Sequence, residues 1–277
     1  MPTRSQRVDV SDALERAILS RIATNRAADA PVYGHRFGSE YGPESSRSAL
    51  EKSLARQVDG VECDIILSRD DEVFALHDPG LSLSTNLEGW AQERTADEID
   101  EAFIRGQSGE VSDEHPLRLR AVLDLIPRGL PLQLDVKAYA DPELADRTTA
   151  RACEITKEHG TDDRIEVISF FTRGCLVAVE HEVSTRLVLW ADYAPEVLVQ
   201  WVLDRDIDGV SLEGFIFSHD LVDPLHEAGV TISVGAVNSP GQLEGVLPMH
   251  PDIIVSDCPA EIKECLARLE AGVREQL

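Results

Sequence analysis

The sequence lacks the signatures of several large protein classes. No stretch approaches the roughly 18 consecutive apolar residues that a membrane-spanning helix needs. The first residues, Met-Pro-Thr-Arg-Ser-Gln-Arg, lead into acidic, helix-patterned sequence instead of the apolar core of a signal peptide. No GxGxxG follows the first predicted strand, which leaves a dinucleotide-binding site without support. We therefore expect a cytoplasmic protein without stable membrane insertion.

Cysteine and lysine are both scarce. The five cysteines show no CxxC spacing, and their odd number argues against a disulfide framework or a cysteine–zinc site. Only four of the 26 basic residues are Lys, whereas 51 Asp and Glu residues give a formal net charge of -25. Nucleic-acid backbones require clustered Lys and Arg, so we expect no nucleic-acid partner. The composition fits a high-salt cytoplasm or a GC-rich genome.

The chain is long enough for one large domain with a substantial core, since 43% of its 277 residues are hydrophobic. From Val32 onward, eight or so strand-like runs alternate with helix-patterned segments. This alternation predicts an α/β fold, a (β/α)8 TIM barrel with its active site at the C-terminal strand ends. A doubly wound open sheet is the alternative architecture.

Two segments depart from this alternation. Residues 79–116 are irregular and polar, and we predict that they form a small insertion after the third strand, Val73–Leu76. Residues 11–26 have apolar side chains at helical spacing and predict an N-terminal helix. The whole chain, 1–277, is predicted to be a single TIM-barrel catalytic domain.

Reactive side chains concentrate on the first predicted strands. His35 and Arg36 end the first strand, Glu62 and Asp64 lie on the second, and His77 ends the third. Successive strand side chains point to opposite faces, so residues two apart share a face. A charged side chain inside a barrel strand is costly unless it is paired or binds a metal.

The fourth predicted strand repeats the spacing with Asp135 and Lys137. Each of these residues alone has a structural explanation, such as a hydrogen-bonded histidine or a carboxylate paired with Arg. Together, charged pairs on two strands and histidines at the ends of two others predict a metal-assisted phosphoryl-transfer site.

The order of the motifs resembles the glycerophosphodiester phosphodiesterase family over residues 32–260. The motifs are His-Arg, Pro-Glu, Gly-x-Glu-x-Asp, His-Asp and Leu-Asp-x-Lys, followed in weaker form by Ser169-Phe170, Val237-Asn238 and Ser256-Asp257-x-Pro259. The resemblance implies a barrel with an insertion after the His-Asp motif. It also implies one divalent cation, Mg²⁺ or Ca²⁺, and hydrolysis of a small-molecule glycerophosphodiester to glycerol 3-phosphate and an alcohol.

The resemblance also implies roles by position. The metal ligands would be Glu62, Asp64 and Asp135, since hard carboxylate oxygens suit a hard dication. The acid–base pair would be His35 and His77. The groups that neutralise the phosphate oxygens would be Arg36 and Lys137. The nucleophile is either water or the substrate's own glycerol hydroxyl, which would give a cyclic phosphate.

The chain departs from the family pattern at several positions. An extra Phe37 follows the His-Arg pair, and Asp135 stands where Glu is commoner. Gly235-Ala236 replaces the usual Trp-Thr, which removes an aromatic wall and a hydroxyl and leaves glycerol recognition open. Side chains that either reline the pocket or pack in the core are Phe37, Tyr41, Phe215 and Phe217. Glu44 either reaches the site or favours a helix start.

Two other functions remain open. One is a lysophospholipase D-like phosphodiesterase, which an apolar rim on the insertion would favour. Another is a barrel that binds phosphodiesters without turning them over. An unrelated metal-dependent aldolase or isomerase would not explain two histidines and Arg36 beside the carboxylates. The oligomeric state, the metal and the alcohol are not defined by the sequence.

Overall fold

A computed structural model of the protein describes residues 30–276. The strands are β1 (Val32–Gly34), β2 (Gly60–Leu67), β3 (Val73–Ala75), β4 (Leu117–Arg118), β5 (Leu132–Val136), β6 (Ile165–Ser169), β7 (Ser184–Leu189), β8 (Gly209–Glu213), β9 (Thr231–Gly235) and β10 (Ile253–Ser256). Within this range eight of them run parallel in the order β1-β2-β5-β6-β7-β8-β9-β10, and β10 pairs with β1. The predicted (β/α)8 barrel is therefore confirmed.

Helices follow the barrel strands and cover the outside of the sheet. The helices are α1 (Arg47–Ala55), α2 (Leu81–Ser84), α3 (Ala96–Asp100), α4 (Leu119–Leu125), α5 (Pro142–His159), α6 (Thr172–Glu180), α7 (Pro195–Leu203), α8 (His219–Glu227), α9 (Pro240–Val246) and α10 (Pro259–Gln276). Their apolar faces pack on the strands in two large clusters. One joins β2 and β5 to α1, α4 and α5, and the other joins β7–β10 to α7–α9.

Strand β3 differs from the prediction, which counted it among the core strands. It pairs antiparallel with β2, placing Ala75 opposite Ile65, and β4 pairs antiparallel with β3 in turn. Only residues 68–72 connect β2 to β3. Parallel neighbours need a crossover of about a dozen residues or more, so this short connection allows only a hairpin. Asp135 consequently lies on the third barrel strand, β5.

The insertion is confirmed, because residues 79–116 hold α2 and α3 and contribute no barrel strand. The predicted N-terminal helix at residues 11–26 lies outside the described residues. A single domain over 1–277 and a cytoplasmic location therefore stay predictions. None of the helices found between residues 30 and 276 combines the length and hydrophobicity that crossing a membrane requires.

Candidate active site

The predicted site residues meet at the C-terminal mouth of the barrel. A cavity of about 360 Å³ opens there, and six of the seven predicted residues line it: His35, Arg36, Glu62, His77, Asp135 and Lys137. The seventh, Asp64, is buried beneath them and contacts both Lys137 and Arg36. The structure therefore brings all seven together, although they come from separate parts of the chain. We refer to this space as the mouth cavity.

Three carboxylates form the floor of the mouth cavity. Asp64 on β2 and Asp135 on β5 are direct neighbours in the parallel ladder, and Glu62 lies two residues before Asp64 on the same face. Ligand oxygens from these three residues lie within 4.8 Å of one another. All three side chains are buried. Like charges on adjacent strands are destabilising unless cations compensate them.

The carboxylates respond differently to this crowding. Burial, together with the charge of Asp64, raises the pKa of Glu62 to about 7. Burial and Asp64 also raise the pKa of Asp135, against the opposing influence of Lys137. Burial would raise the pKa of Asp64 as well, but Lys137 and Arg36 outweigh it and the pKa is lowered. Asp64, which contacts both cations, is therefore the carboxylate of the cluster whose ionised form is stabilised.

The two cations lie directly on the carboxylates. Lys137 Nζ is 3.0 Å from Asp64 Oδ1 and 2.6 Å from Asp135 Oδ2. Arg36 Nε is 3.2 Å from Asp64 Oδ2, and its Nη1 donates to Glu44 Oε2 at 2.5 Å. Glu44 thus pairs with Arg36, one of the two roles that the sequence left open. It precedes the first turn of α1 and is not part of it.

His35 is held by a carboxylate that the sequence analysis did not assign a role. Its Nδ1 lies 2.7 Å from Asp257 Oδ1, just beyond β10, and Ser39 and Asn238 donate to the same carboxylate. Burial tends to raise the pKa of Asp257, but these hydrogen bonds lower it to about 2. The ionised carboxylate accepts from Nδ1–H, so Nε2 faces the cavity, 4.0 Å from Glu62 Oε2.

Burial acts to lower the pKa of His35, but the hydrogen bond with Asp257 and the charge of Glu62 outweigh it and raise the pKa.

His77 has a comparable partner in the residue that follows it. Its Nδ1 is 3.1 Å from Asp78 Oδ1, and Asp78 also accepts hydrogen bonds from Ser84 Oγ and Tyr139 Oη. His77 lies beyond β3, outside the barrel, and reaches the cavity because the hairpin turns back at the level of Asp64. The expectation that it would end a neighbouring barrel strand was wrong, since β3 is antiparallel.

The β1 loop turns sharply to place His35 and Arg36. Arg36, Phe37 and Gly38 all have positive φ, and Arg36 N donates to Glu62 Oε2 at 2.8 Å. The extra residue, Phe37, is fully buried in the cluster around β2 and β5. Its side chain packs in the core beneath the β1 loop and does not line the mouth cavity.

The four aromatic residues considered for relining the pocket are absent from the lining of the mouth cavity. Phe217 packs in the core, Tyr41 donates to Glu261, and Phe215 is 75% exposed. The aromatic side chain that does line the cavity is Phe170, at the end of β6, whose ring lies 5.0 Å from Lys137 Nζ. In the sequence, the Ser169-Phe170 motif was the signal that pointed to Phe170.

The far wall of the cavity, on β8 and β9, is lined by small groups and one carboxylate. Gly235 and Ala236 present backbone and a methyl group where the family has Trp-Thr, and Glu213 and Ser211 lie beside them. Burial raises the pKa of Glu213. The sequence analysis missed Glu213, since a single acidic residue at the last position of a strand resembles an ordinary solvent-facing end.

The carboxylate cluster fits a divalent cation. Asp135 Oδ1 is buried and accepts no hydrogen bond among the described residues, and Asp64 Oδ2 has only the ion-pair contact with Arg36 Nε. Oxygen ligands at this spacing suit a hard dication, and additional positive charge would offset the burial and the repulsion from Asp64 that together raise the pKa of Glu62. In type, burial and arrangement, these three carboxylates are therefore suited to hold one divalent cation.

Known proteins resemble this chain in sequence and in fold. The family model described as the glycerophosphoryl diester phosphodiesterase family matches residues 35–261. The chain is 24% identical over 232 residues to a glycerophosphodiester phosphodiesterase of Caldanaerobacter subterraneus, covering 82% of this chain and 94% of that protein. It is 33% identical over 127 residues to lysophospholipase D GDPD3 of Mus musculus, covering 42% of this chain and 38% of that protein.

Among solved structures, the fold is similar to an Oleispira antarctica phosphodiesterase in complex with the product sn-glycerol-3-phosphate. The TM-score is 0.78 at 22% identity, and the match covers 86% of this chain and 96% of that one.

Proposed function

This chain belongs to the glycerophosphoryl diester phosphodiesterase family, and we propose that its mouth cavity hydrolyses glycerophosphodiesters by histidine acid–base catalysis beside one divalent cation. The products are glycerol 3-phosphate and an alcohol. The observation that carries this proposal is the convergence of three carboxylates, two cations and two carboxylate-paired imidazoles on one cavity. Because the chain belongs to a phosphodiesterase family, a barrel that only binds phosphodiesters and an aldolase or isomerase are not supported as its function.

Glu62, Asp64 and Asp135 would hold the cation, Mg²⁺ or Ca²⁺. When bound, the cation would supply Lewis-acid polarisation of the phosphate and neutralise part of its charge. The protein fixes the three ligands on adjacent rigid strands, which keeps their oxygens in place as charge develops. Because these ligands are buried, the site would also lose most of its competing water.

Arg36 and Lys137 would bind the non-bridging phosphate oxygens. Both already lie at the cavity and are held by Asp64, so their positions are set before substrate arrives. Burial acts to lower the pKa of Lys137, but Asp135 and Asp64 outweigh it and raise the pKa, which keeps the ammonium charged. A bound phosphodiester would thus meet fixed positive charge in a protein whose net charge is -25.

His35 and His77 would move the protons. Each ring engages a carboxylate through Nδ1, which leaves Nε2 as the nitrogen that exchanges a proton. One imidazole withdraws the proton of the attacking hydroxyl, and the other protonates the alcohol oxygen as its bond to phosphorus breaks. The nucleophile is water or the glycerol hydroxyl, and the net reaction consumes one water in either case.

The direct test is release of glycerol 3-phosphate from a panel of glycerophosphodiesters. The purified full chain is assayed with Mg²⁺, with Ca²⁺ and with chelator. We expect turnover with at least one metal and loss of turnover in chelator. Full activity in chelator would contradict the metal proposal, and no turnover of any diester with either metal would contradict the proposed function.

A further inference from the structure

His77 lies on a hairpin outside the barrel, so the barrel strands alone do not fix the position of its imidazole. The residue follows β3, which pairs with β2 and β4 and with no other strand among the described residues. Lys137, by contrast, directly follows the barrel strand β5. A proton-transfer group acts only within hydrogen-bond reach of the reacting oxygen. Contacts beyond the barrel must therefore hold His77 relative to Lys137.

Asp78 contacts His77 and is itself held on both of its carboxylate oxygens. Its Oδ1 lies 3.1 Å from His77 Nδ1 and accepts from Tyr139 Oη at 2.5 Å, and its Oδ2 accepts from Ser84 Oγ at 2.6 Å. Burial acts to raise the pKa of Asp78, but the hydrogen bonds from His77, Ser84 and Tyr139 outweigh it and lower the pKa. Tyr139 is thus a second donor to the same oxygen that engages His77.

Tyr139 connects this carboxylate to the strand that presents the proposed phosphate-binding lysine. It comes two residues after Lys137, in the connection from β5 to α5. Burial and the hydrogen bond to Asp78 raise the pKa of Tyr139 to about 12, so the hydroxyl stays protonated and remains a donor near neutral pH. The bond between Tyr139 and Asp78 therefore ties the hairpin that carries His77 to the end of β5.

The ring of Tyr139 is oriented by the insertion that follows the hairpin. Trp90 meets the ring edge to face, with the ring centroids 5.9 Å apart and the ring planes at 87°. Trp90 in turn forms an isolated β-bridge with Gly80, two residues after Asp78. Both the hydroxyl and the ring of Tyr139 thus contact the segment that begins at the His-Asp motif.

The turn that presents Tyr139 has an unfavourable backbone conformation. Asp141 N donates to Ala138 O at 3.1 Å, which makes Tyr139 and Ala140 the central residues of a tight turn. Their φ values are 41° and 55°, and turns with positive φ at both central positions ordinarily take Gly or Asn. Tyr139 is 47% exposed, so burial in the core does not explain a tyrosine here. Strained residues of this kind are held by surrounding contacts and cluster at functional sites.

We propose that Tyr139 is a positioning residue, which holds Asp78 and through it the imidazole of His77 in place beside the phosphate-binding end of β5. This inference rests on the proposed function and adds a residue to it. Tyr139 does not line the mouth cavity, so it acts through Asp78 and not on the substrate. Without its hydroxyl, Asp78 Oδ1 would have His77 as its one partner, and the carboxylate would be free to turn about its bond to Ser84.

The kinetic test removes the hydroxyl and keeps the ring. Tyr139→Phe should lower kcat for glycerophosphodiester hydrolysis about 10-fold, the factor for one hydrogen bond to a charged group, and leave KM nearly unchanged. Tyr193→Phe is the matched control, because Tyr193 is 46% exposed and its hydroxyl makes no hydrogen bond with any of the described residues. It should retain the wild-type kcat and KM. A wild-type kcat in Tyr139→Phe would overturn the proposal.

A double-mutant cycle separates positioning from a purely structural role. If Tyr139 acts through His77, Tyr139→Phe should cause no further loss of kcat once His77→Ala has removed the imidazole. A structural role would instead give the same loss of about 10-fold in both backgrounds. Equal losses in the two backgrounds would therefore contradict the positioning role.

A spectroscopic test requires neither metal nor turnover. In the full chain labelled with ¹⁵N-histidine, the imidazole signals of His77 are assigned by their absence from His77→Ala. Tyr139→Phe should broaden or abolish the Nδ1–H signal of His77, because the carboxylate that accepts this proton is no longer fixed. Tyr193→Phe should preserve it. An unchanged His77 signal in Tyr139→Phe would show that the hydroxyl does not hold the imidazole.

The two proposals fail in different ways. Turnover of a glycerophosphodiester with equal kcat losses in both backgrounds would remove the role of Tyr139 and leave the phosphodiesterase intact. Absence of turnover on every diester, together with loss of the His77 signal in Tyr139→Phe, would remove the proposed reaction while Tyr139 still positions His77.

Discussion

The two halves of the barrel contribute different kinds of side chain to the mouth cavity. Strands β1, β2 and β5, with the hairpin beside them, supply every charged group of the proposed catalytic set. The half from β6 to β9 supplies Phe170, Val188, Glu213, Gly235 and Ala236, which are mostly apolar or small. We infer that the first half defines the reaction and the second half defines the substrate. Variants in each half test that division.

The largest effect is expected from breaking the carboxylate cluster in the first half. Asp64→Asn removes the carboxylate that contacts both Lys137 and Arg36, and would cost the site its cation. We expect kcat/KM to fall on the order of 10⁴-fold, which corresponds to the several kcal/mol that a bound metal contributes. Release of glycerol 3-phosphate measures the loss of activity, and calorimetric titration with Mg²⁺ or Ca²⁺ measures the loss of metal binding.

Asp71→Asn is the control for this variant. Asp71 is an exposed carboxylate with positive φ, a conformation that Asn also adopts, and it lies outside the mouth cavity. It should retain activity and metal binding. Normal metal binding by Asp64→Asn would contradict the proposed ligand set.

The histidine variants should show the next largest loss of activity. His35→Ala and His77→Ala are each expected to lower kcat by ~10²–10⁴-fold, because each removes one proton-transfer group. Circular dichroism should show that the fold persists. An unchanged kcat in either variant would remove that residue from the mechanism, whereas His219→Ala, at an exposed position on α8, should leave kcat unchanged.

Asp257 positions His35 without lining the mouth cavity. Asp257→Asn should reduce kcat by ~10–100-fold, corresponding to one charge-assisted hydrogen bond of about 1.5–3 kcal/mol. A purely structural role would instead lower stability and leave kcat of the folded fraction intact. The test is therefore kcat per folded molecule, together with a pH–rate profile. If Asp257 positions His35, the limb of the pH–rate profile assigned to His35 should shift in Asp257→Asn.

The smallest effect should arise in the second half, at Glu213. Glu213→Gln removes a charge from the far wall, where a substrate hydroxyl or head group would lie. We expect KM to rise about 10-fold with kcat changed much less, since one hydrogen bond to a charged group contributes about 1.5 kcal/mol. A fall in kcat equal to that of the histidine variants would instead place Glu213 in the chemistry.

Much of the first half could be predicted because its signals are local. The i, i+2 spacing of Glu62 and Asp64 on a strand requires that they share a face, and the same rule applies to Asp135 and Lys137. The ordered motifs then joined these strands into one site. Barrel topology was equally accessible, because strand–helix alternation repeats along the chain.

The remainder could not be predicted because it depends on contacts between distant segments. Asp257 reaches His35 only because β10 closes the barrel against β1. Tyr139 reaches Asp78 only because β2 brings its hairpin alongside β5, and no single segment reveals this contact. The antiparallel course of β3, by contrast, could have been predicted from the sequence, because residues 68–72 are too few for a parallel crossover from β2.

One measurement tests the central claim most directly. Glycerophosphocholine is incubated with the full chain and metal in water labelled with heavy oxygen, and the products are analysed by mass spectrometry. The account predicts glycerol 3-phosphate that carries the label on phosphate, unlabelled choline, and no product in chelator. Labelled choline, or undiminished product in chelator, would contradict hydrolysis at phosphorus in this metal site.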